Sequence, residues 1–321
     1  MRAHPAGTAG LPVTRLGVGL AAIGRPAYIT PQRGDDLGVD RAPQTLEAAA
    51  HDLLDAAYGA GVRYLDAARS YGRAEAFLAS WLARRAPADV TVASKWGYTY
   101  VGEWQLDAAV HEVKDHGVDA FERQLAETRA LLGDALAVYQ IHSATLDTGV
   151  LEDRAVHAAL ARLRDRGVVV GFTTSGPNQA EVIRRALSLE VDGAPLFGVV
   201  QSTWNLLEPS AGSALAEASD AGLVVVVKES LANGRLAVDV PAALTEVARD
   251  LEASPDALAI AAVAAQPWAS VILSGAVTEA QLRSNLAGLA LTCGPDELAA
   301  LAGLAEPPQR YWQARSARPW R

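Results

Sequence analysis

The chain has 321 residues, half of them apolar and a fifth charged, enough for one large domain with a substantial core. A net charge of −9 argues against a nucleic-acid groove, which concentrates Lys and Arg; only three lysines occur (Lys95, Lys114, Lys228), and arginine supplies the rest of the positive charge. The single cysteine, Cys293, excludes an intramolecular disulfide, and no apolar run approaches the roughly 18 residues of a membrane span, so the expectation is a soluble cytoplasmic protein.

Eight short apolar runs read as strands: 15–20, 62–66, 90–95, 136–142, 168–173, 197–202, 223–228 and 270–273. Several are nearly continuous in β-branched residues, the pattern of strands covered on both faces. Between and after them lie Ala/Leu/Arg-rich segments with helical spacing at 46–60, 73–85, 118–132, 151–166, 177–187, 209–221, 255–265 and 278–288. Gly61, Gly133, Gly167 and Gly222 stand just past helix ends, where positive φ is favoured. Eight strand–helix units without a linker predict a closed (β/α)₈ barrel in one domain spanning 1–321, with an open doubly wound sheet as the alternative.

Three stretches exceed a minimal barrel: 24–45 after the first strand, 96–117 after the third, and the tail 305–321. The first two leave the face where barrel enzymes keep their chemistry, and the tail is expected to lie over it. Their aromatic residues Tyr28, Trp96, Tyr98, Trp104 and Trp312 are the candidate walls of a substrate pocket.

Asp66, Tyr71, Lys95 and His142 follow or end three consecutive predicted strands, in "RYLDAARSYG", "TVASKWG" and "AVYQIHSAT". A barrel brings those strand ends onto one face. A phenol beside an ammonium, a carboxylate and an imidazole suits proton transfer to a carbonyl oxygen. Taken singly, each residue has an ordinary structural reading as a turn, a cap or a core group; the combination is the signal. "HEVKDH" at 111–116 lacks the i, i+4 histidine spacing of a zinc helix, and no metal site is expected.

These residues resemble the aldo-keto reductases, over about 14–290. "YLDAARSYG" is similar to the family's Asp-x-x-x-x-Tyr-Gly motif, "ASKWG" supplies its lysine and "VYQIHS" its histidine. The resemblance implies catalytic roles for Asp66, Tyr71, Lys95 and His142, with Tyr71 as general acid/base. It also implies a nicotinamide cofactor held by Gly19, by Thr173, Thr174 and Ser175 of "GFTTSGP", and by Gln201 of "VVQSTWNLL". The later contacts are Lys228, Ser230, Leu231, Asn233 and Gly234 of "KESLANGRL", and Ser274, Gly275, Ala276, Gln281 and Asn285 of "SGAVTEAQLRSNL".

Two departures stand out. Thr174 replaces an amide that members use to hold the carboxamide, and Lys228 replaces an aromatic residue that stacks on the nicotinamide. Lys228 is left to pair with a pyrophosphate oxygen, Glu229 or a substrate carboxylate. Family habit makes NADP the expected cofactor, with NAD the alternative, because Gly275, Ala276, Val277 and Gln281 lack the usual positive charge for a 2′-phosphate. The implied activity is hydride transfer to or from an aldehyde, ketone or sugar lactol, with a small-molecule carbonyl or alcohol as the only partner expected. A non-redox biosynthetic enzyme and a cofactor-binding regulatory subunit are the alternatives on the same barrel.

Overall fold

The computed structural model describes residues 4–30 and 36–320. Eight parallel strands close a barrel: β3 (Leu16–Gly19), β4 (Tyr64–Asp66), β5 (Thr91–Trp96), β8 (Leu136–Ala144), β9 (Val169–Thr174), β12 (Val199–Thr203), β13 (Val224–Lys228) and β14 (Val271–Ser274). They pair in chain order, and β14 returns to β3 through Leu273 opposite Gly17. All eight predicted strands and all eight predicted helices are present, and the four predicted helix-end glycines all carry positive φ.

The β-branched runs follow from burial on both faces. Along β13, Val224 and Val226 point into the barrel with Val138, Val199 and Val271, whereas Val225 and Val227 join the layer between strands and helices. Alternation along the strand thus fills two compartments with one residue type. The antiparallel hairpin β1 (His4–Ala6) and β2 (Leu11–Val13) adds Leu11 and Val13 to the interior cluster.

Other elements lie in segments read as irregular. The stretch after β5 contains a second antiparallel hairpin, β6 (Tyr98–Tyr100) with β7 (Glu112–Lys114). A small pair, β10 (Glu190–Val191) and β11 (Ala194–Pro195), precedes β12. Additional helices run over Ala242–Asp250, Pro295–Leu301 and Pro308–Ser316, so much of the tail is helical. Proline at the first or second position of the last two is the local signal, since its missing N–H costs nothing there. No helix among the described residues is long and apolar enough to cross a membrane.

Candidate active site

A cavity of about 650 Å³ opens at the C-terminal ends of the strands. Its inner end is built on β4, β5 and β8. Asp66 ends β4, and its carboxylate forms an ion pair with the fully buried ammonium of Lys95 on β5. Lys95 Nζ also donates to the Ala67 carbonyl at 2.9 Å, and Gln201 Nε2 on β12 donates to Asp66 Oδ1 at 3.0 Å. Both Asp66 oxygens therefore have partners, and the buried charge is paired as its burial requires.

Tyr71 is positioned by a turn that tolerates no side chain at two places. Gly72 has φ +61°, and a Cβ on Gly24 would lie 2.5 Å from the Tyr71 carbonyl oxygen. The close approach lets Arg73 N donate to Gly24 O at 2.7 Å, pinning the loop after β3 against the tyrosine. The Tyr71 hydroxyl lies 3.5 Å from His142 Nε2, and Lys95 Nζ lies 4.8 Å from the Tyr71 ring centre. The β8–β9 register shifts between Ile141 and Ala144, around His142, the kind of irregularity that re-aims a side chain. Ser70 Oγ faces His142 Nδ1 at 3.4 Å.

Protonation follows from this burial. Burial, reinforced by the Asp66 charge, raises Tyr71 well above the ordinary phenol range, with Arg25 opposing. Burial, then Lys95 and Arg25, keeps His142 far below the usual imidazole value, so it is neutral. Asp66 neutralises the Lys95 ammonium beside Tyr71, and the phenol keeps its proton.

Arg25, which sequence reasoning passed over, lines the same end. Its guanidinium lies over the rings of Tyr28, Tyr71 and Trp320 at 4.8, 5.1 and 4.5 Å and pairs with Glu112 at 2.6 Å. Arg315, on the helix Pro308–Ser316, grips Glu229 through Nε at 3.0 and 2.9 Å. Against the cost of burial, Arg315 and Lys228 hold Glu229 at about 2. Lys228 donates to Thr203 Oγ1 at 2.7 Å and lies 3.7 Å from Glu229 Oε1; burial brings it down to about 8. The signals for Arg25 and Arg315 were weak: one lies in an irregular loop, and the other stands 86 residues in sequence from the acid it pairs with.

Of the predicted cofactor residues, Gly19, Thr173, Ser175, Gln201, Lys228, Ser230, Leu231, Asn233, Gly234, Ser274, Gly275, Ala276, Gln281 and Asn285 line the cavity. Thr174 does not: it is fully buried, and its hydroxyl bonds Ser202 at 2.7 Å. Tyr28 and Tyr98 line the cavity, but Trp96, Trp104 and Trp312 do not. Trp96 follows the inward-facing Lys95, so alternation turns it outward onto Phe121, 5.1 Å between ring centres. Trp104 donates through Nε1 to the Arg41 carbonyl at 2.7 Å and meets Phe77 edge-on. Trp312 is buried with Leu236, Leu301 and Tyr311 behind the cavity, its ring 5.6 Å from Lys228 Nζ. In their place Trp320 forms part of the wall.

The residues present suit a dinucleotide. Ser230 Oγ is buried without a hydrogen-bond partner on the cavity wall, and a Cβ on Gly275 would meet nothing within 4 Å. Gln281 is held with its Oε1 accepting from Val277 N at 2.9 Å, and Asn285 accepts from Ser274 Oγ at 2.7 Å.

A closed parallel barrel with this constellation at its C-terminal face defines a class of barrel proteins, and comparison with known proteins identifies which. The sequence model of the Aldo/keto reductase family matches residues 36–306, and the chain belongs to that family. A pyridoxal 4-dehydrogenase from Microbacterium luteolum is 28% identical over 211 residues, which cover 56% of this chain and 57% of that protein. The chain thus matches little more than half the length of that relative. Among solved structures, the aldo-keto reductase AKR11C1 from Bacillus halodurans, in its holo form, superposes with a TM-score of 0.72 at 20% identity, covering 96% of this chain and 97% of that one. The Pseudomonas aeruginosa protein PA4992, provisionally assigned as an aldo-keto reductase, gives 0.66 at 22% identity, covering 90% and 94%. At these identities the two structures bear on the fold.

Proposed function

We propose that the protein is a nicotinamide-dependent oxidoreductase that interconverts a carbonyl group, or a sugar lactol, with its partner oxidation state, using Tyr71 as general acid/base. The observation that carries this reading is the approach of the Tyr71 hydroxyl to His142 Nε2 at the inner end of the cavity, above the buried Lys95–Asp66 pair. A bound nicotinamide supplies hydride transfer at carbon. Gln201, Thr173 and Ser175 would hold its ring end, Ser230 to Gly234 its pyrophosphate, and Ser274 to Asn285 its adenosine.

The chain's own groups handle the proton. In reduction, negative charge builds on the carbonyl oxygen, and Tyr71, protonated at neutral pH, donates to that oxygen. His142 is neutral; carrying its proton on Nε2, with Ser70 donating to Nδ1, it would donate to the same oxygen and orient the carbonyl. Lys95, fixed by Asp66 and the Ala67 carbonyl, supports the tyrosine ring. In oxidation Tyr71 must first give up its proton to solvent, and the phenolate then takes the proton of the substrate hydroxyl. The dehydrogenase named among the relatives favours this oxidative direction as the second reading.

The test follows absorbance at the reduced-nicotinamide band with panels of carbonyls and alcohols. Tyr71→Phe removes a positioned proton donor and should lower turnover by at least about 100-fold with cofactor binding intact. Turnover near the parent level would refute the assignment. Cofactor binding without consumption across both panels would point instead to a regulatory or non-redox protein.

A further inference from the structure

The expected NADP preference rests on family habit, and the cavity wall carries a charge pattern against it. Two carboxylates, Asp36 and Asp256, line the part of the cavity formed by Ala276, Gln281 and Asn285. Asp36 Oδ2 accepts from Gln281 Nε2 at 2.8 Å, while Val277 N anchors the other end of that amide. Asp256 Oδ2 lies 3.4 Å from Asn285 Nδ2. Each acid therefore has an amide neighbour and keeps its second oxygen free of any such bond to these amides.

The described cations that line the cavity are Arg25, Lys228 and Arg315. All three are engaged at the inner end, by Glu112, by Thr203 and Glu229, and by Glu229. The cations of the reacting end are thus matched by Asp66, Glu112 and Glu229, whereas no described cation that lines the cavity answers Asp36 and Asp256 beside Gln281 and Asn285.

We infer that the protein selects NAD over NADP, with Asp36 as the residue that accepts a hydrogen bond from the adenosine ribose diol. The inference rests on the cofactor reading above and deepens it. A carboxylate beside a ribose accepts O–H donors from a free diol, which is how other dinucleotide sites choose NAD. Against a 2′-phosphate the same carboxylate meets charge of its own sign and no donor. Asp256 adds a second negative charge on that wall. Gln281, held between Val277 and Asp36, sets the position of the acid and presents no positive charge to a phosphate.

Binding tests this without turnover. Isothermal titration of the full chain with ADP-ribose and with its 2′-phosphate isolates the adenosine half of the cofactor. The parent protein should bind ADP-ribose at least about tenfold more tightly, the order expected for one or two uncompensated charge contacts near a surface. Asp36→Asn keeps the size of the side chain at an exposed position and should shrink the ratio severalfold, with a smaller change for Asp256→Asn. Raising the salt concentration should also shrink the parent's ratio, because the repulsion is screened. Tighter binding of the 2′-phosphate by the parent, or an unchanged ratio in Asp36→Asn, would overturn the inference and leave the cofactor reading standing. If neither nucleotide binds, the cofactor reading itself fails, and this inference with it.

Discussion

Asp66 serves two partners, Lys95 through one oxygen and Gln201 through the other, and it also stabilises the protonated form of Tyr71. Removing one member of a buried pair strands the other. Lys95→Met should therefore cost about 3–5 kcal/mol in denaturant unfolding, the usual range for a broken buried ion pair. The double variant Lys95→Met, Asp66→Asn should recover part of that loss, since no charge is left stranded. Glu229 gives a pH signature. Its folded value of about 2 lies below the ordinary 4.5, so its stabilisation is complete above pH 4.5 and is lost as pH falls toward 2. That displacement is worth about 3 kcal/mol. Glu229→Gln should lower unfolding free energy at neutral pH and flatten the acid limb between those values, measured by denaturant melts across pH. The four residues proposed as catalytic could be singled out because each ends or follows a strand in a recognisable motif, and the fold brings Asp66, Tyr71, Lys95 and His142 together. Arg25 was not, because its role depends on rings from Tyr28, Tyr71 and Trp320 meeting around it.

The core elements were readable from the sequence because strands buried on both faces demand β-branched runs, as in Val224–Lys228. The hairpin Tyr98–Tyr100 with Glu112–Lys114 was not, since three-residue strands are too short for alternation to show. Yet this hairpin contributes Tyr98 and Glu112 to the cavity. The tail contributes more. Arg318 Nε donates to the Ile29 carbonyl at 3.0 Å and its Nη2 to Asn233 O at 3.3 Å, bridging the loops after β3 and β13. Trp320 then packs on Arg25 and stacks on His111 with ring centres 4.4 Å apart. Trp320→Ala removes an aromatic wall from the substrate end without touching the barrel core. Its KM should rise by about tenfold, as for loss of an aromatic anchor, with the melting temperature nearly unchanged. An unchanged KM would show that the substrate does not reach the tail.

Across the whole molecule, barrel closure converts sequence distance into proximity. Asp66 and Gln201 are 135 residues apart yet share a hydrogen bond, because β4 and β12 open onto one face. The (β/α)₈ architecture was legible in its strand–helix rhythm, whereas the pocket walls were not, because loops obey no periodicity. Trp96 illustrates the difference: a cavity residue by its place in the sequence, it is turned into the outer layer by its parity on β5. A crystal structure with bound NAD tests the convergence most directly. The account predicts the nicotinamide ring beside Gln201, with its C4 facing a space bounded by the Tyr71 hydroxyl and His142 Nε2, and the adenosine ribose against Asp36. A dinucleotide bound outside this cavity, or with its nicotinamide turned away from Tyr71, would contradict it.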